Sequence, residues 1–195
     1  MLNTAITTIQ DEHRSLSAII HGLKYLVREA RNSGSPPDFK LLWAMMYYID
    51  SFPAKLHNPK ENVYLFARLR SRTHEADALL DSLEQQHVDV AEHARALEQA
   101  LGHYEAGMAD GLEIFAAAVE KFAEETWTHM NTEEKVLMPL AKKYLSNEDW
   151  REIAEAFGSN GDPRFGSDPD IEFRNLFTKI VNLAPPPIGV GPARR

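Results

Sequence analysis

The sequence predicts an all-α protein, an up-down-up-down four-helix bundle followed by two short helices. Three observations predict it. Apolar residues recur at alternating spacings of three and four through four long segments, the connections between those segments are short, and each seam is interrupted by polar residues at matching heights. At 195 residues the chain suits one domain with a real core.

The first segment runs from about Leu2 to Arg31. Its seam reads Ile6, Ile9, Leu16, Ile20, Leu23 and Val27, with one gap that His13 fills. Gly34, Pro36 and Pro37 end it, and Asp38 is the expected N-cap of the second helix, which runs to about Arg70 through Leu42, Met45, Ile49, Phe52 and Leu56. This helix carries His57 and Glu61. Leu56 rather than His57 continues the seam, and Pro53 and Pro59 interrupt the backbone ladder nearby. A kink or a π-type bulge would absorb the slip of one residue.

Thr73 is the expected N-cap of the third helix. Its seam reads Ala76, Leu80, Leu83, His87, Val90, Ala94, Leu97, Leu101 and Tyr104. Gly107, Asp110 and Gly111 turn the chain into the fourth helix, which lasts to about Leu145 despite Pro139. The fourth seam reads Leu112, Phe115, Val119, Phe122, Thr126, His129, Glu133, Val136 and Leu140, so three consecutive seam positions are polar. A carboxylate there is several kcal/mol unfavourable unless something cationic meets it. A bound metal ion is the economical answer.

Ser146 or Asn147 caps a short fifth helix through Phe157, a loop is expected from Gly158 to Pro169, and Asp170 to Leu183 reads as a last helix packing through Ile171, Phe173, Leu176, Phe177 and Ile180. The expected organisation is a bundle over residues 1–145, a helical extension packed on it over 146–184, and a Pro-rich tail, extended or disordered, over 185–195.

Composition narrows the function. A net charge of −8 with no basic patch argues against nucleic acid or an anionic membrane surface as partner. Charges break every apolar run, so no span is expected, and no basic-then-apolar leader opens the chain; a soluble, cytoplasmic protein is expected. With no cysteine, any metal must be held by histidine and carboxylate.

Residue counts bring the polar seam positions together. Glu61 and His87 stand 12 and 14 residues from Thr73, and His87 and His129 each stand 21 from Met108. His13 and the His57–Glu61 pair match less closely about the turn near Ser33. The chain also repeats coarsely, His13 preceding His57-x-x-x-Glu61 by 44 residues and His87 preceding His129-x-x-x-Glu133 by 42. A pair at i and i+4 shares one helical face, so two such pairs on opposite helices can hold two ions with each glutamate bridging both. Imidazole with carboxylate suits iron or manganese, and zinc is possible.

These residues resemble the hemerythrin family, specifically its HHE cation-binding domains, over about residues 5 to 145. The likeness rests on the order His, His-x-x-x-Glu, His, His-x-x-x-Glu and on local context: Asp11-Glu12-His13, His57-Asn58-Pro59-Lys60-Glu61 before Leu65-Phe66, and His129 to Glu133 before Glu134, Leu137, Met138 and Pro139. The resemblance implies that His13, His57, His87 and His129 are terminal ligands and Glu61 and Glu133 bridging carboxylates of two iron ions with an oxo or hydroxo bridge. Oxygen-carrying members of the family have a fifth histidine, four residues after the position of His87, where this chain has Ala91. Of about twelve coordination positions on two octahedral ions, two then stay open rather than one. Glu12, Glu134 or water are candidates to fill one.

The expected function is therefore a non-haem di-iron protein that binds dioxygen, nitric oxide or peroxide as a sensor, scavenger or store. The alternatives are a di-iron or iron–manganese redox enzyme consuming oxygen or peroxide, and a metal-responsive interaction protein. His21, His74, His93 and His103 fall off the seams and read as solvated or boundary residues, Phe115 and Phe122 as core, and the charged run Glu120 to Glu125 as a wet helix face.

Overall fold

The computed structural model describes residues 2–158 and 169–191, with side chains described in the last helix from residue 175. The loop expected between Gly158 and Pro169, the side chains of Ile171 and Phe173, and the end of the tail lie outside the described residues. Described elements are all helical: α1 (Leu2–Ser33), α2 (Phe39–Phe52), α3 (Asn58–Lys60), α4 (Ala67–Arg72), α5 (Asp77–Glu105), α6 (Gly111–Thr132), α7 (Met138–Tyr144), α8 (Asn147–Gly158) and α9 (Pro169–Leu183). Three π-helical turns join some of these end to end: Pro53–His57, Glu61–Phe66 and Glu133–Leu137. The bundle thus has four rods. The first is α1, the second runs from α2 to α4, the third is α5, and the fourth runs from α6 to α7.

Local chemistry accounts for the ends. Asp38 caps α2, its Oδ1 accepting from the backbone N–H of Lys40 at 2.9 Å. Thr73 does not cap α5. It ends α4 in extended geometry, and its hydroxyl accepts from the Glu75 N–H at 3.1 Å to hold the intervening turn. At α8 the cap is Ser146, in a reciprocal box: Ser146 N–H donates to Asp149 Oδ2 at 2.8 Å and Asp149 N–H to the Ser146 hydroxyl at 3.2 Å. Gly107, at φ 76°, and Gly111, where a Cβ would come within 2.6 Å of Tyr104 Cα, let α5 and α6 meet in a tight turn.

The second rod does not break at its prolines. Asn58 N–H bonds to the Pro53 carbonyl and Ala67 N–H to that of Asn62, each five residues back, so the rod widens into π turns on either side of Pro59. A wider turn gives the Pro59 ring room against the carbonyl four residues earlier and absorbs the slip between Leu56 and His57, which are both buried. The same device recurs in the fourth rod, where Met138 N–H bonds to the Glu133 carbonyl. There it changes the expected seam. Leu137, Met138 and Ala141 are buried, whereas Val136 is 48% exposed and Leu140 only half-buried.

Two apolar clusters fill the bundle. One holds Leu16 to Val27 of α1 with Leu41 to Leu56, Ala94 to Leu101 and Phe115 to Met130; the other holds Ala5 to Ile9 with Leu65 to Leu69, Ala76 to Leu83, Leu137 to Ala141 and, from α8, Trp150, Ile153 and Phe157. Between them in every rod lies a buried polar layer: His13, then His57 and Glu61, then His87, then His129 and Glu133. Helix α8 packs on α1 beside this layer, and α9 packs on α2. Residues 185–191 are not extended. They turn back on α9, with Val190 N–H bonded to the Val181 carbonyl and Gly191 N–H to that of Ala184.

Candidate metal centre

Each rod enters the polar layer with its imidazole Nε2 turned inward. His13 Nε2 and His57 Nε2 stand 3.0 Å apart, and His87 Nε2 and His129 Nε2 3.1 Å apart. The two glutamates lie between these pairs. Glu61 comes within 3.4 Å of His57, 3.4 Å of His87 and 3.9 Å of His13, while Glu133 comes within 3.2 Å of His129, 3.3 Å of His13 and 3.7 Å of His87. Two overlapping groups result, His13–His57–Glu61–Glu133 and Glu61–His87–His129–Glu133, each with its candidate ligand atoms within 4.8 Å of one another. All six residues singled out in the sequence therefore meet.

The spacing suits an ion. Ligand atoms about 2.1 Å from a metal stand about 3.0 Å apart around an octahedron and about 3.4 Å around a tetrahedron. The histidine pairs and the shortest histidine–glutamate approaches fall in that interval. The protein alone leaves the carboxylates poorly served: both glutamates are 0% exposed, and among the described residues none of their four oxygens receives a hydrogen bond of good geometry. An uncompensated buried carboxylate costs several kcal/mol, so a layer holding two of them calls for cations.

Protonation shows the same demand. Burial opposes a charge on His13, but Glu133 and Glu61 outweigh it and push its pKa up to about 9. His87, likewise opposed by burial, is also pushed up to about 9 by Glu133 and Glu61. Burial favours the neutral acid at Glu133, yet His129, His13 and His87 hold its carboxyl well below the usual range. Without metal the layer gathers protons in its place.

The outer nitrogens are all engaged. His57 Nδ1 lies 2.7 Å from Glu12 Oε2, His87 Nδ1 2.9 Å from Asn62 Oδ1, His129 Nδ1 2.9 Å from Gln86 Oε1, and His13 Nδ1 2.9 Å from Glu134 Oε1. With Nδ1–H donating outward, an imidazole in its neutral form turns the Nε2 lone pair to the interior. The bonds form a closed ring: the first rod backs the second, the second the third, the third the fourth, and the fourth the first. Glu12 and Glu134 thus stand behind the imidazoles and are not placed to fill an open coordination position. Asn62 and Gln86 were not foreseen from sequence. The usable signal was adjacency, since all four backing residues directly flank a candidate ligand in the chain.

Aromatic rings brace the imidazoles. Phe66 stacks on His87 at 5.5 Å and Phe52 on His57 at 6.0 Å, while Phe157 of α8 meets His57 edge-on at 6.5 Å. Two pockets have residues of the layer in their lining. One of about 120 Å³ is lined by His13, Glu134, Trp127, Met130 and Asn131 among others, and one of about 490 Å³ has Gln86 and His129 in its lining, with Asp89, His93, Lys121 and Glu124. The remaining histidines lie apart: His21 and His103 are exposed or nearly so, His93 is half-buried, and the His74 side chain is 94% exposed.

The family model of the hemerythrin HHE cation-binding domain matches residues 4–141. The chain belongs to this family. A comparison with curated proteins yields no match. The match spans the four rods and stops short of α8, so the helix that sets Phe157 against His57 lies beyond the matched HHE domain. No helix among the described residues is long and apolar enough to cross a membrane.

Proposed function

We propose that this HHE protein is a non-haem di-iron protein, with His13, His57, His87 and His129 as terminal ligands and Glu61 and Glu133 bridging two ions, and that it binds dioxygen, nitric oxide or peroxide as a sensor, scavenger or store. The observation that carries the reading is the set of four buried carboxylate oxygens that accept no hydrogen bond of good geometry among the described residues, each glutamate in reach of both histidine pairs. Two iron ions there would supply electrons and open coordination positions. The chain's own residues do the rest. Nδ1 bonds from neighbouring rods fix each imidazole, the two apolar clusters keep bulk water out, and the small pocket beside His13 admits a ligand of a few atoms.

The test is reconstitution. Chelator-stripped protein reloaded with Fe(II) under nitrogen takes up two ions per chain, and admitting oxygen or nitric oxide produces charge-transfer absorption. A colourless protein that holds no iron tightly overturns the reading.

One observation favours a second reading, turnover of oxygen or peroxide by the same centre. Ala91 stands where oxygen carriers of the family have a further histidine, which leaves one more position open. Steady consumption of peroxide, abolished by Glu133→Ala, separates catalysis from binding.

A further inference from the structure

The ring of backing residues is uneven in charge. Both imidazoles of the His13–His57 pair are backed by carboxylates, Glu134 at 2.9 Å and Glu12 at 2.7 Å. Both imidazoles of the His87–His129 pair are backed by neutral amide oxygens, Asn62 and Gln86, each at 2.9 Å. The inward-facing residues do not share this bias, because each pair has two histidines and both glutamates. The difference in ligand-backing charge between the two positions therefore comes from behind the rings.

A carboxylate accepting an imidazole N–H makes the other nitrogen a stronger donor, and its own negative charge adds to the field at the ion; an amide oxygen does the first weakly and the second hardly at all. The buried Lys60 ammonium lies on this side of the layer, 5.7 Å from the centre of the Phe157 ring, and among the described residues it forms no ion pair with Glu12 or Glu134. Arg14, the cation next to His13 in sequence, pairs with Asp11. The Glu12 side chain is only 13% exposed, so its charge is poorly screened, whereas Glu134 is 36% exposed and acts mainly through its bond to His13.

We propose that the two ion positions are built to be unequal. The His13–His57 position, backed by Glu12 and Glu134, takes up its ion first and holds the ion of higher charge; the His87–His129 position, backed by Asn62 and Gln86, fills second and releases first. This rests on the two-ion reading above and goes beyond it by assigning four residues the role of ranking the ions. They are positioning residues, acting through the imidazoles.

The full chain, stripped by chelation, is titrated with Co2+ and followed by calorimetry and by the cobalt d–d bands. Two steps separated by at least about tenfold are expected, since residues backing a metal-bound histidine typically govern 10–100-fold in affinity. Crystals grown with one equivalent of cobalt should show the anomalous peak between His13 and His57. The paired variant Glu12→Gln with Glu134→Gln keeps shape and hydrogen bonds, and should weaken the first step about 10–100-fold so that the two steps merge. The reverse pair, Asn62→Asp with Gln86→Glu, should strengthen the second step and leave the first near its wild-type value. Two ions that bind in a single step to wild-type protein, a half-loaded peak between His87 and His129, or a Glu12→Gln/Glu134→Gln variant with unchanged steps would each overturn the proposal while leaving the two-ion reading intact. Failure to bind two ions at all would remove that reading, and the ranking with it.

Discussion

Glu61 Oε2 stands 3.4 Å from His87 Nε2, although the two residues belong to different rods. The same carboxylate lies within 3.4 Å of His57 on its own rod, so one side chain bears on both halves of the layer. Glu61→Gln keeps the volume and removes the charge. Metal at about 100 times its dissociation constant should stabilise the wild-type protein by about 2.7 kcal/mol, and the variant by much less. Thermal unfolding with and without metal reads the difference. An equal metal-induced shift in the variant would mean that Glu61 is not a ligand.

Metal uptake should release protons. His13 and His87 have pKa values of about 9 in the metal-free protein, so near pH 7 both rings are charged and must lose a proton to offer Nε2. Calorimetry in buffers of different ionisation enthalpy should count about two protons released per chain. The sign for stability follows from the raised values. Their contribution in metal-free protein is fully present below the unfolded pKa of about 6.5 and is lost as pH rises through about 9.

The register of the fourth rod can be tested by truncation. Leu137 is 0% exposed behind the π turn, and Val136 is 48% exposed. Leu137→Ala should cost about 2–5 kcal/mol and Val136→Ala within about 0.5 kcal/mol, read by urea unfolding. The opposite ranking would place Val136 on the seam and remove the π turn.

Helix α8 is anchored by a buried acid. Asp149 accepts two bonds from Arg72, at 2.9 and 3.0 Å, and bonds with Ser146 as well. The Arg72 guanidinium is the main cause holding the carboxyl down at about 2. A lowered folded pKa stabilises above the unfolded value of about 3.8, and that contribution is lost as pH falls through about 2. Asp149→Asn should cost about 1–2 kcal/mol at neutral pH and flatten the acid limb of the stability curve between those values.

The six polar seam residues were legible because a histidine or glutamate on an apolar stripe breaks a pattern that is otherwise regular, and because counts from the turns put all of them at one height. The second rod's slip was legible for a related reason: Leu56 and His57 cannot both continue one three-and-four seam of a straight α-helix. The fourth rod hid its own π turn, since Val136 and Leu140 satisfy the three-and-four spacing as well as the residues that are actually buried. Backing residues were harder still. Glu12, Asn62, Gln86 and Glu134 lie at the edge of the buried stripe, where polar residues are expected anyway, and only the relative rotation of neighbouring rods turns them toward an imidazole. The folded-back segment 185–191 is held by backbone bonds, which its proline-rich composition does not reveal.

The ring of backing residues also bears on how such a centre can be assembled. His13 and His57 in the first half correspond to His87 and His129 in the second, Glu12 to Gln86, and Asn62 to Glu134. Each half thus contributes one carboxylate and one amide, yet both carboxylates serve the same histidine pair. Two identical half-length chains related by a twofold axis could not achieve this, because the axis would give both histidine pairs the same surroundings. Halves that differ in sequence, joined here in one chain, break that symmetry and give the polar layer a direction.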